Sequence, residues 1–338
     1  MPRALVTDPG VAGSTRVELV DPTDGEVLLR PLEVGICGTD REIAHGMFGV
    51  SPADGAPLVM GHEVLAVVAR AGGGFAEGDL VTATVRRSCG RCLACDEGAP
   101  DSCLTGDYSE RGITRLDGFA CELLGEDGDQ LIPVPASLGR LGVLAEPTSI
   151  CERALRHART IGGRQPWRLQ RALVLGAGAI GLLTTFLLRQ QGVETWVASL
   201  EPEAPLVAAA GARYANVAEL GELGAFDLVV ECAGNAQLMA DALGLLRRSG
   251  IACLIGIDGR DQDVTVDGRV LGLDTVVEGR VLFGSVNAHR QDWLAAVDDL
   301  ARLDPELLRG LVGLRVPLER FEEAFDFRGG KATLVIDA

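Results

Sequence analysis

The two halves of the chain differ in how their apolar residues are spaced. In the first half, short β-branched runs such as Val27–Val34 and Val64–Val68 are separated by glycine and proline turns, which is typical of an antiparallel, barrel-like region. After about Pro147, apolar strand runs alternate with helical runs. This alternation predicts a parallel, doubly wound sheet. The predicted strands are Ala172–Leu175, Thr195–Ala198, Asp227–Glu231 and Ile251–Ile255, and the predicted helices are Leu182–Gln191, Ala204–Ala210 and Ala236–Leu246.

The last third of the chain contains three further segments. Apolar residues in Leu271–Phe283 indicate either an edge strand or a buried strand. A helix is predicted at Trp293–Leu300, and the closing segment Leu311–Ala338 has an α+β pattern.

Composition narrows the class of protein. The 338 residues suit about two domains, and an apolar share of 47% excludes intrinsic disorder. A net charge of -17 argues against nucleic acid as a partner, since phosphate contacts need clustered basic residues. No run of about 18 apolar residues lacks a charge, and the first twenty residues lack a signal-peptide pattern. We therefore expect a cytoplasmic protein outside the membrane, and the single lysine, Lys331, is attributed to codon bias.

Four of the nine cysteines form a compact motif. They follow the spacing C-x2-C-x2-C-x7-C, which lets four thiolates converge on one tetrahedral centre with no open position. This spacing predicts a structural zinc site, with an iron–sulfur cluster as the alternative. The four residues are Cys89, Cys92, Cys95 and Cys103, and the remaining buried-type cysteines, Cys121, Cys151, Cys232 and Cys253, are assigned to packing.

A glycine-rich turn follows the strand Ala172–Leu175. Its G-x-G-x-x-G pattern comes between a strand and a helix, the context in which a dinucleotide pyrophosphate is bound by backbone amides. The second strand ends without an aspartate, and its first acidic residue is Glu201. The predicted cofactor-binding residues here are Gly176, Gly178, Ala179, Ile180, Gly181, Ser199 and Glu201.

A second set of metal-binding residue types comes from three distant segments. Cys37, His62 and Glu146 offer a thiolate, an imidazole and a carboxylate, a combination that suits zinc with an open fourth position. Three other histidines, His45, His157 and His289, remain as competing ligands and are assigned to surface or packing positions.

Taken together, these motifs resemble the zinc-dependent medium-chain dehydrogenase/reductase superfamily, and most closely its glucose (aldose) 1-dehydrogenase branch. The resemblance extends over essentially the whole chain. It is carried by the stretches Gly35–Ile43, Gly61–Glu63, the four-cysteine lobe, Arg111–Ile113, Leu144–Pro147 and Gly284–Asn287.

The resemblance implies two domains. One is a GroES-like β-barrel domain formed by residues 1–150 and 290–338, with the zinc lobe at about 86–110. The other is a Rossmann domain formed by residues 151–289. NAD or NADP and two zinc ions, one catalytic and one structural, are the implied cofactors. A homodimer or homotetramer joined through the edge strand of the Rossmann sheet is the implied assembly.

The resemblance also implies roles for individual residues. Cys37, His62 and Glu146 correspond to ligands of the catalytic zinc, and Glu63 to an adjacent or exchanging ligand or to a support for His62. Glu146 would therefore lie beside the substrate. Thr39 would contact the reacting hydroxyl.

The remaining implied roles concern the proton path and the sugar. Glu42, at a position where many relatives have a relay histidine, is a candidate for the next proton-transfer step, as is Glu63. Glu110 and Asn287 correspond to contacts with the sugar and the nicotinamide region.

Three departures from glucose-active relatives bear on specificity. Val85 precedes Arg86-Arg87, where a polar residue is expected, and Val277-Glu278 falls where a histidine is common. Both departures put glucose itself in doubt. The third, Glu201, would repel a 2′-phosphate and so favours NAD over NADP.

The predicted activity is hydride transfer from a sugar, a cyclitol or a related secondary alcohol to the nicotinamide. The alternatives are a zinc alcohol or polyol dehydrogenase with a non-sugar substrate, a zinc-free reductase or lyase-like enzyme, and a non-enzymatic nucleotide-binding protein of the same fold.

Overall fold

The structure is a computed structural model that describes residues 1–336. Its contacts divide the chain into two compact units. The first contains Met1–Ser149, Asn287–Arg302 and the residues from Val312 onward, and the second contains Ile150–Val286 and Leu303–Leu311. Leu303–Leu311 joins the second unit because a helix there packs closely on that unit, with Gly310 against the side chain of Leu206.

The strands are β1 (Arg3–Thr7), β2 (Arg16–Leu19), β3 (Val27–Ile36), β4 (Leu58–Val59), β5 (Glu63–Arg70), β6 (Leu80–Ala83), β7 (Arg86–Arg87), β8 (Ser109–Arg111), β9 (Arg115–Leu116), β10 (Leu124–Glu126), β11 (Leu131–Pro133), β12 (Arg171–Leu175), β13 (Glu194–Ser199), β14 (Arg213–Asn216), β15 (Phe226–Glu231), β16 (Leu246–Leu254), β17 (Val281–Gly284), β18 (Val312–Pro317) and β19 (Lys331–Val335).

The α-helices are α1 (Gly38–Ala44), α2 (Leu93–Asp96), α3 (Ala145–Gly162), α4 (Ala179–Gln190), α5 (Pro205–Ala209), α6 (Ala236–Asp241), α7 (Thr275–Glu278), α8 (Arg290–Arg302), α9 (Pro305–Leu311) and α10 (Phe321–Asp326). Short 3-10 segments are Pro100–Ser102, Gly128–Gln130, Ala136–Leu144, Val217–Glu222, Ala242–Leu245 and Leu318–Arg320, and Val270–Asp274 forms a π-helix.

The first unit is built on a largely antiparallel sheet with the order β11-β6-β5-β3-β19-β18, to which β10 adds by pairing with β3. Two smaller sheets, β2-β1-β4 and β7-β8-β9, complete it. Burial alternates along β3 from Val27 to Glu33, whereas the end of β3, Glu33–Ile36, and the start of β5, Glu63–Ala66, are buried at every residue. The register sets Gly35 opposite Glu63 and Ala332 opposite Ile36, so the ends of three strands meet at one place.

The second unit is a six-stranded parallel sheet with the order β14-β13-β12-β15-β16-β17. This is the strand order of a Rossmann fold, with its switch point beside β12. The core between sheet and helices includes Leu173, Leu175, Phe226 and Val229, all fully buried. The predicted combination of a GroES-like barrel unit and a parallel Rossmann unit is thus confirmed.

Two predicted elements of the second unit were wrong in detail. The helix predicted at Ala236–Leu246 is α-helical only to Asp241, because Leu246 already pairs with Phe226 in the sheet. Leu271–Phe283 is mostly helical, and only its last residues belong to β17. Gly279, with a φ of 64°, ends that helical stretch in the left-handed conformation that glycine adopts most readily.

Among the described residues, no helix combines the length and the apolar character that crossing a membrane requires.

Candidate active site and metal centres

Cys37 lies at the point where β3 ends and α1 begins. Cys37 is the N-cap of α1, and its backbone N–H donates a hydrogen bond of 2.9 Å to Oδ2 of Asp40. Residues from Gly38 onward form the first helical turn. This reciprocal capping fixes the backbone that carries the thiol.

His62 faces Cys37 across the end of the sheet. Its Nε2 is 3.3 Å from the Cys37 Sγ, and its Nδ1 is 3.4 Å from Oδ1 of the fully buried Asp40. Burial lowers the pKa of His62, but the negative charges of Asp40 and Cys37 outweigh it and raise that pKa well above its usual value. The pKa of Asp40, which burial alone would raise, is lowered by the charge and hydrogen bond of His62. Asp40 therefore orients the imidazole so that Nε2 points at the thiol.

Two buried glutamates complete this cluster. Ligand atoms of His62, Glu63 and Glu146 lie within 4.8 Å of one another. Glu146 is in the first turn of α3, and burial, followed by the charge of Glu63, raises its pKa to about 7. Both Oε atoms of Glu63 accept hydrogen bonds of 2.6 Å from the Nζ of Lys331.

Cys37 and His62 are spaced as ligands of one zinc ion, and ligand atoms of Glu146 and His62 lie within 4.8 Å of each other. Sulfur and nitrogen ligands of a tetrahedral zinc lie ~3.6 Å apart, given bond lengths of about 2.3 and 2.05 Å, and the observed separation is 3.3 Å. The Nδ1 of His62 and the Oδ1 of Asp40 are buried without another hydrogen-bond partner. An imidazole that binds metal through Nε2 carries its proton on Nδ1 and donates it to such a carboxylate.

The four predicted lobe cysteines also converge. Their sulfur atoms lie within 4.8 Å of one another, with Cys89–Cys95 at 3.9 Å and Cys92–Cys95 at 3.5 Å. These distances fit the ~3.8 Å edge of a tetrahedral zinc–thiolate site. The hydroxyl of Thr105 and backbone amides lower the pKa of Cys103 to about 6, which favours its thiolate form.

Thr39 and Glu42 are both on α1, directly after Cys37. The two residues are three positions apart and half-buried, so they lie on the same face of the helix. The structure therefore places both predicted proton-path residues on the element that begins at the thiol.

Glu110 and Asn287 are connected through one arginine. Arg86 donates to Oε1 of Glu110 at 2.9–3.0 Å and to the carbonyl of Asp101 at 2.7 Å, and it stacks on the ring of Tyr108. The Nδ2 of Asn287 donates to the same Asp101 carbonyl at 3.3 Å. The two predicted sugar contacts are thus held by one network within the first unit.

The glycine turn has the geometry that a dinucleotide requires. Gly176 has a φ of 108°, and Gly178 is the N-cap of α4 with open space around it. A Cβ at Gly181 would lie 2.0 Å from the carbonyl oxygen of Gly176, so only glycine allows this close approach of helix and strand. Ala179 and Ile180 form the first helical turn after Gly178.

At the end of β13, Ser199 and Glu201 are connected by Tyr214. The Tyr214 hydroxyl lies 2.7 Å from the Ser199 Oγ and donates to the backbone carbonyl of Glu201. A hydrogen bond from Ser199 lowers the pKa of the Glu201 carboxyl. A negative charge is thereby maintained near the end of the second strand of the Rossmann sheet.

Four residues of these sites are not among the predicted ones: Asp40, Lys331, Arg86 and Tyr214. Asp40 could have been identified from the sequence, because its position three residues after Cys37 suits a helix cap. Lys331 could have been identified as well, since it is the only lysine in the chain. Neither signal identifies the partner, which comes from a distant segment.

Known proteins share both units with this chain. The family model "Alcohol dehydrogenase GroES-like domain" matches residues 23–136, and "Glucose dehydrogenase C-terminus" matches residues 139–337. A "Glucose 1-dehydrogenase" of Methanocella arvoryzae is 41% identical, with 95% of each chain covered. "Glucose 1-dehydrogenase 1" of Caldivirga maquilingensis is 38% identical, covering 96% of this chain and 95% of its own.

A solved structure is similar over nearly the whole chain. The glucose dehydrogenase of Haloferax mediterranei, in complex with NADP, Zn and gluconolactone, aligns with a TM-score of 0.91 at 29% identity, with 99% of each chain covered. The barrel unit, the Rossmann unit and the two clusters of metal-binding side chains define a zinc-dependent medium-chain dehydrogenase/reductase. Within that superfamily, the chain belongs to the glucose dehydrogenase family.

Proposed function

We propose that this protein is a zinc-dependent NAD(P) oxidoreductase that oxidises an aldose at its C1 hydroxyl to the lactone. The observation that carries the proposal is that His62 lies between two sets of metal-binding side chains: its Nε2 is 3.3 Å from Cys37 Sγ, and ligand atoms of His62, Glu63 and Glu146 lie within 4.8 Å of one another. The related glucose 1-dehydrogenases and the gluconolactone complex of the Haloferax protein support the substrate class.

Different groups of the site would assist the removal of a proton and of a hydride from the substrate. Zinc bound to Cys37, His62 and Glu146 would lower the pKa of the substrate hydroxyl. The Thr39 hydroxyl would accept a hydrogen bond from that hydroxyl, and Glu42 on the same helix would accept the proton next. When bound, the nicotinamide would supply the acceptor for the hydride that leaves the substrate's C1 with its two electrons. Asp40 would keep the His62 ring in one orientation throughout.

The Glu110 network would recognise the sugar. Arg86 holds the Glu110 carboxylate by two hydrogen bonds and leaves Oε2 to accept from a sugar hydroxyl. Asn287, held through the Asp101 carbonyl, would contact the same ligand. Rigid support of this kind reduces the conformational entropy lost on binding.

A cyclitol or non-sugar polyol is the second candidate substrate. Val85, next to Arg86, is buried with 6% of its surface exposed, and it offers no hydrogen bond where glucose-active relatives are expected to have a polar side chain. A spectrophotometric screen of aldoses, cyclitols and secondary alcohols separates the two candidates. If glucose is a poor substrate because of Val85, Val85→Asn should raise its kcat/KM.

For the cofactor, we propose NAD in preference to NADP. The carboxylate of Glu201, kept ionised near the end of β13, would accept hydrogen bonds from a ribose diol and repel a 2′-phosphate. The kcat/KM ratio for the two cofactors tests this. Glu201→Gln should move the ratio toward NADP, and an unchanged ratio would contradict the assignment.

The proposal extends to a homodimer or homotetramer. Strand β17 is at the edge of the six-stranded sheet, and Leu282 within it is 41% exposed. An exposed apolar edge strand is a surface for pairing with a second copy. Light scattering with size exclusion at micromolar concentration should show more than one chain per particle, whereas a monomer would reject this part.

A cytoplasmic location is also part of the proposal. All nine cysteines are thiols without a disulfide bond, and four of them gather in the lobe. Thiolate ligands of this kind persist in a reducing compartment.

Zinc content together with turnover tests the proposed site. The wild-type protein should bind two zinc ions per chain, whereas Cys37→Ser should bind one, lose turnover and still bind the nicotinamide cofactor. Cys121→Ser, which changes a buried thiol outside both clusters, is the matched control and should keep both metals. A single zinc in the wild type would favour a reductase or a nucleotide-binding protein without this activity.

A further inference from the structure

The only lysine of the chain lies beside the candidate zinc ligands. Lys331 is 3% exposed, and its Nζ is 2.6 Å from both Oε atoms of Glu63. The attribution of this lysine to codon bias does not account for such a position. A buried ammonium needs a partner that offsets the loss of hydration, and Glu63 supplies one with both oxygens.

The strand register brings these two residues together. Lys331 begins β19, whose next residue, Ala332, pairs with Ile36 at the end of β3. Glu63 begins β5 and pairs with Gly35. A Cβ at position 35 would lie 2.0 Å from the Glu63 Oε2, so the glutamate side chain reaches Lys331 by passing over a residue that has no side chain.

A second contact ties the same C-terminal segment to the candidate site. Arg41, on the helix that begins at Cys37, donates to the backbone carbonyls of Phe325 at 2.8 Å and Phe327 at 3.0 Å. The chain before Lys331 is therefore held to α1, and Lys331 itself to β5. The position of the ammonium is fixed by two elements that also carry the candidate ligands.

The charges at the site give the lysine a specific effect. Glu63 and Glu146 are both buried and close enough to His62 to reach a shared metal ion. Lys331 holds the Glu63 carboxylate by two charge-assisted hydrogen bonds, one to each oxygen, and so competes with zinc for its negative charge, whereas none of the described hydrogen bonds of Lys331 restrains Glu146 in this way. Coordination by both carboxylates would also fill the position that a catalytic zinc keeps open.

We propose that Lys331 is a positioning residue that holds Glu63 away from the zinc, so that Glu146 is the carboxylate ligand and the fourth position stays open for substrate. This inference rests on the proposed zinc site. It assigns Lys331 a role in selecting between two carboxylates, with Glu63 as the one outside the coordination shell.

The single lysine makes a direct test possible. Protein labelled with [15N]lysine has one Nζ signal, which reports on the contact with Glu63 without any need for turnover. When zinc is added to the metal-free protein, the signal should stay near its starting position. Metal-free Glu63→Gln protein, in which the partner has no charge, supplies the reference position for a broken pair. Movement of the wild-type signal to that reference would overturn the proposal.

Variants provide a second test. In Lys331→Met, Glu63 is released and should bind the metal, so zinc loss to a chelator from the catalytic site should slow by about 10-fold while kcat falls. Lys331→Met/Glu63→Gln pairs two neutral side chains and should restore both rates toward the wild type. Faster zinc loss in the single variant, without correction in the double variant, would mean that Lys331 has a merely structural role. If the single variant does not fold, the double variant and the wild-type NMR titration still test the proposed role of Lys331.

The catalytic and lobe metals are separated by parallel measurement of Cys37→Ser, which should release zinc only from the lobe. This control also keeps the two proposals distinct. A wild-type protein that binds only the lobe zinc would refute the proposed function. Two bound zinc ions with a displaced Lys331 signal would refute only the role of Lys331.

Discussion

The substitution Gly35→Ala tests whether β3 requires glycine at this position because the Glu63 side chain lies directly over it. The backbone conformation at this position does not require glycine, because φ is outside the left-handed range. The available space does require glycine, because the new Cβ would lie 2.0 Å from the Oε2 of Glu63 and 3.0 Å from its Cβ and Cδ. The glutamate side chain must therefore leave its position between Gly35 and Lys331.

The size of the effect follows from the ion pair. Breaking a buried pair and leaving a charge uncompensated costs about 3–5 kcal/mol. Alanine in a strand is about 0.5–1 kcal/mol better than glycine, which leaves a net loss of about 2–4 kcal/mol. For a unit of this size, 1 kcal/mol lowers Tm by about 2–4 °C, so we expect the Tm of the first unit to fall by about 5–15 °C.

Differential scanning calorimetry of zinc-loaded protein measures this change. Gly38→Ala is the matched control, since a Cβ there has no heavy atom within 4 Å and the residue is in the first turn of α1. In a Glu63→Ala background the 2.0 Å contact with Oε2 is removed and only the 3.0 Å contact with the Cβ of residue 63 remains, so Gly35→Ala should there change Tm by no more than about 2 °C. An equal loss of stability with and without the Glu63 side chain would refute the reasoning.

Three further predictions concern the turn, the lobe and the ligand Glu146. Gly181→Ala should weaken NAD binding at least about 10-fold in a fluorescence titration, because its Cβ would lie 2.0 Å from the carbonyl oxygen of Gly176; unchanged affinity would contradict the tight-turn assignment. Cys103→Ser should lose one zinc by colorimetric assay and lower the Tm while NAD binding persists; two retained zinc ions would exclude it as a ligand. Burial and a neighbouring charge raise the pKa of Glu146 to about 7, so a proton competes with zinc below that pH and affinity should fall on acidification. In Glu146→Gln this pH dependence should be shallower, and an unchanged slope would show that another group titrates.

The lobe and the glycine turn could be predicted because their residues are close in sequence. The cysteine spacing alone specifies convergence, and a glycine pattern between a strand and a helix has one common use. The catalytic set required the family resemblance, because its residues are distant in sequence: Cys37 follows β3, His62 precedes β5 and Glu146 is in α3. The structure supplies the distances that join them.

Other features could not be predicted from local pattern. Lys331 and Glu63 are 268 residues apart and meet only because β19 returns to the edge of β3. The strand predicted over Leu271–Phe283 was wrong for most of its length because β-branched residues favour a strand, whereas the chain there forms short helices whose valines remain exposed, with Val276 at 75%. Strand propensity reflects half-buried surroundings, and this segment lacks them before β17.

The basic residues of the chain give a chemical reason for the position of its one lysine. Thirty of the 31 basic residues are arginine, and many of them form ion pairs at or near the surface, such as Arg16–Asp8 and Arg309–Glu306. Guanidinium is a planar fork that suits such exposed carboxylates, whereas an ammonium is a compact charge with three donors. Between β19 and β5 the charge has to fit beside Glu63 in a buried space, with Cys37 and Glu146 near enough to stabilise its protonated form. The exception to an otherwise arginine-based composition therefore occurs where a small, buried positive charge is required.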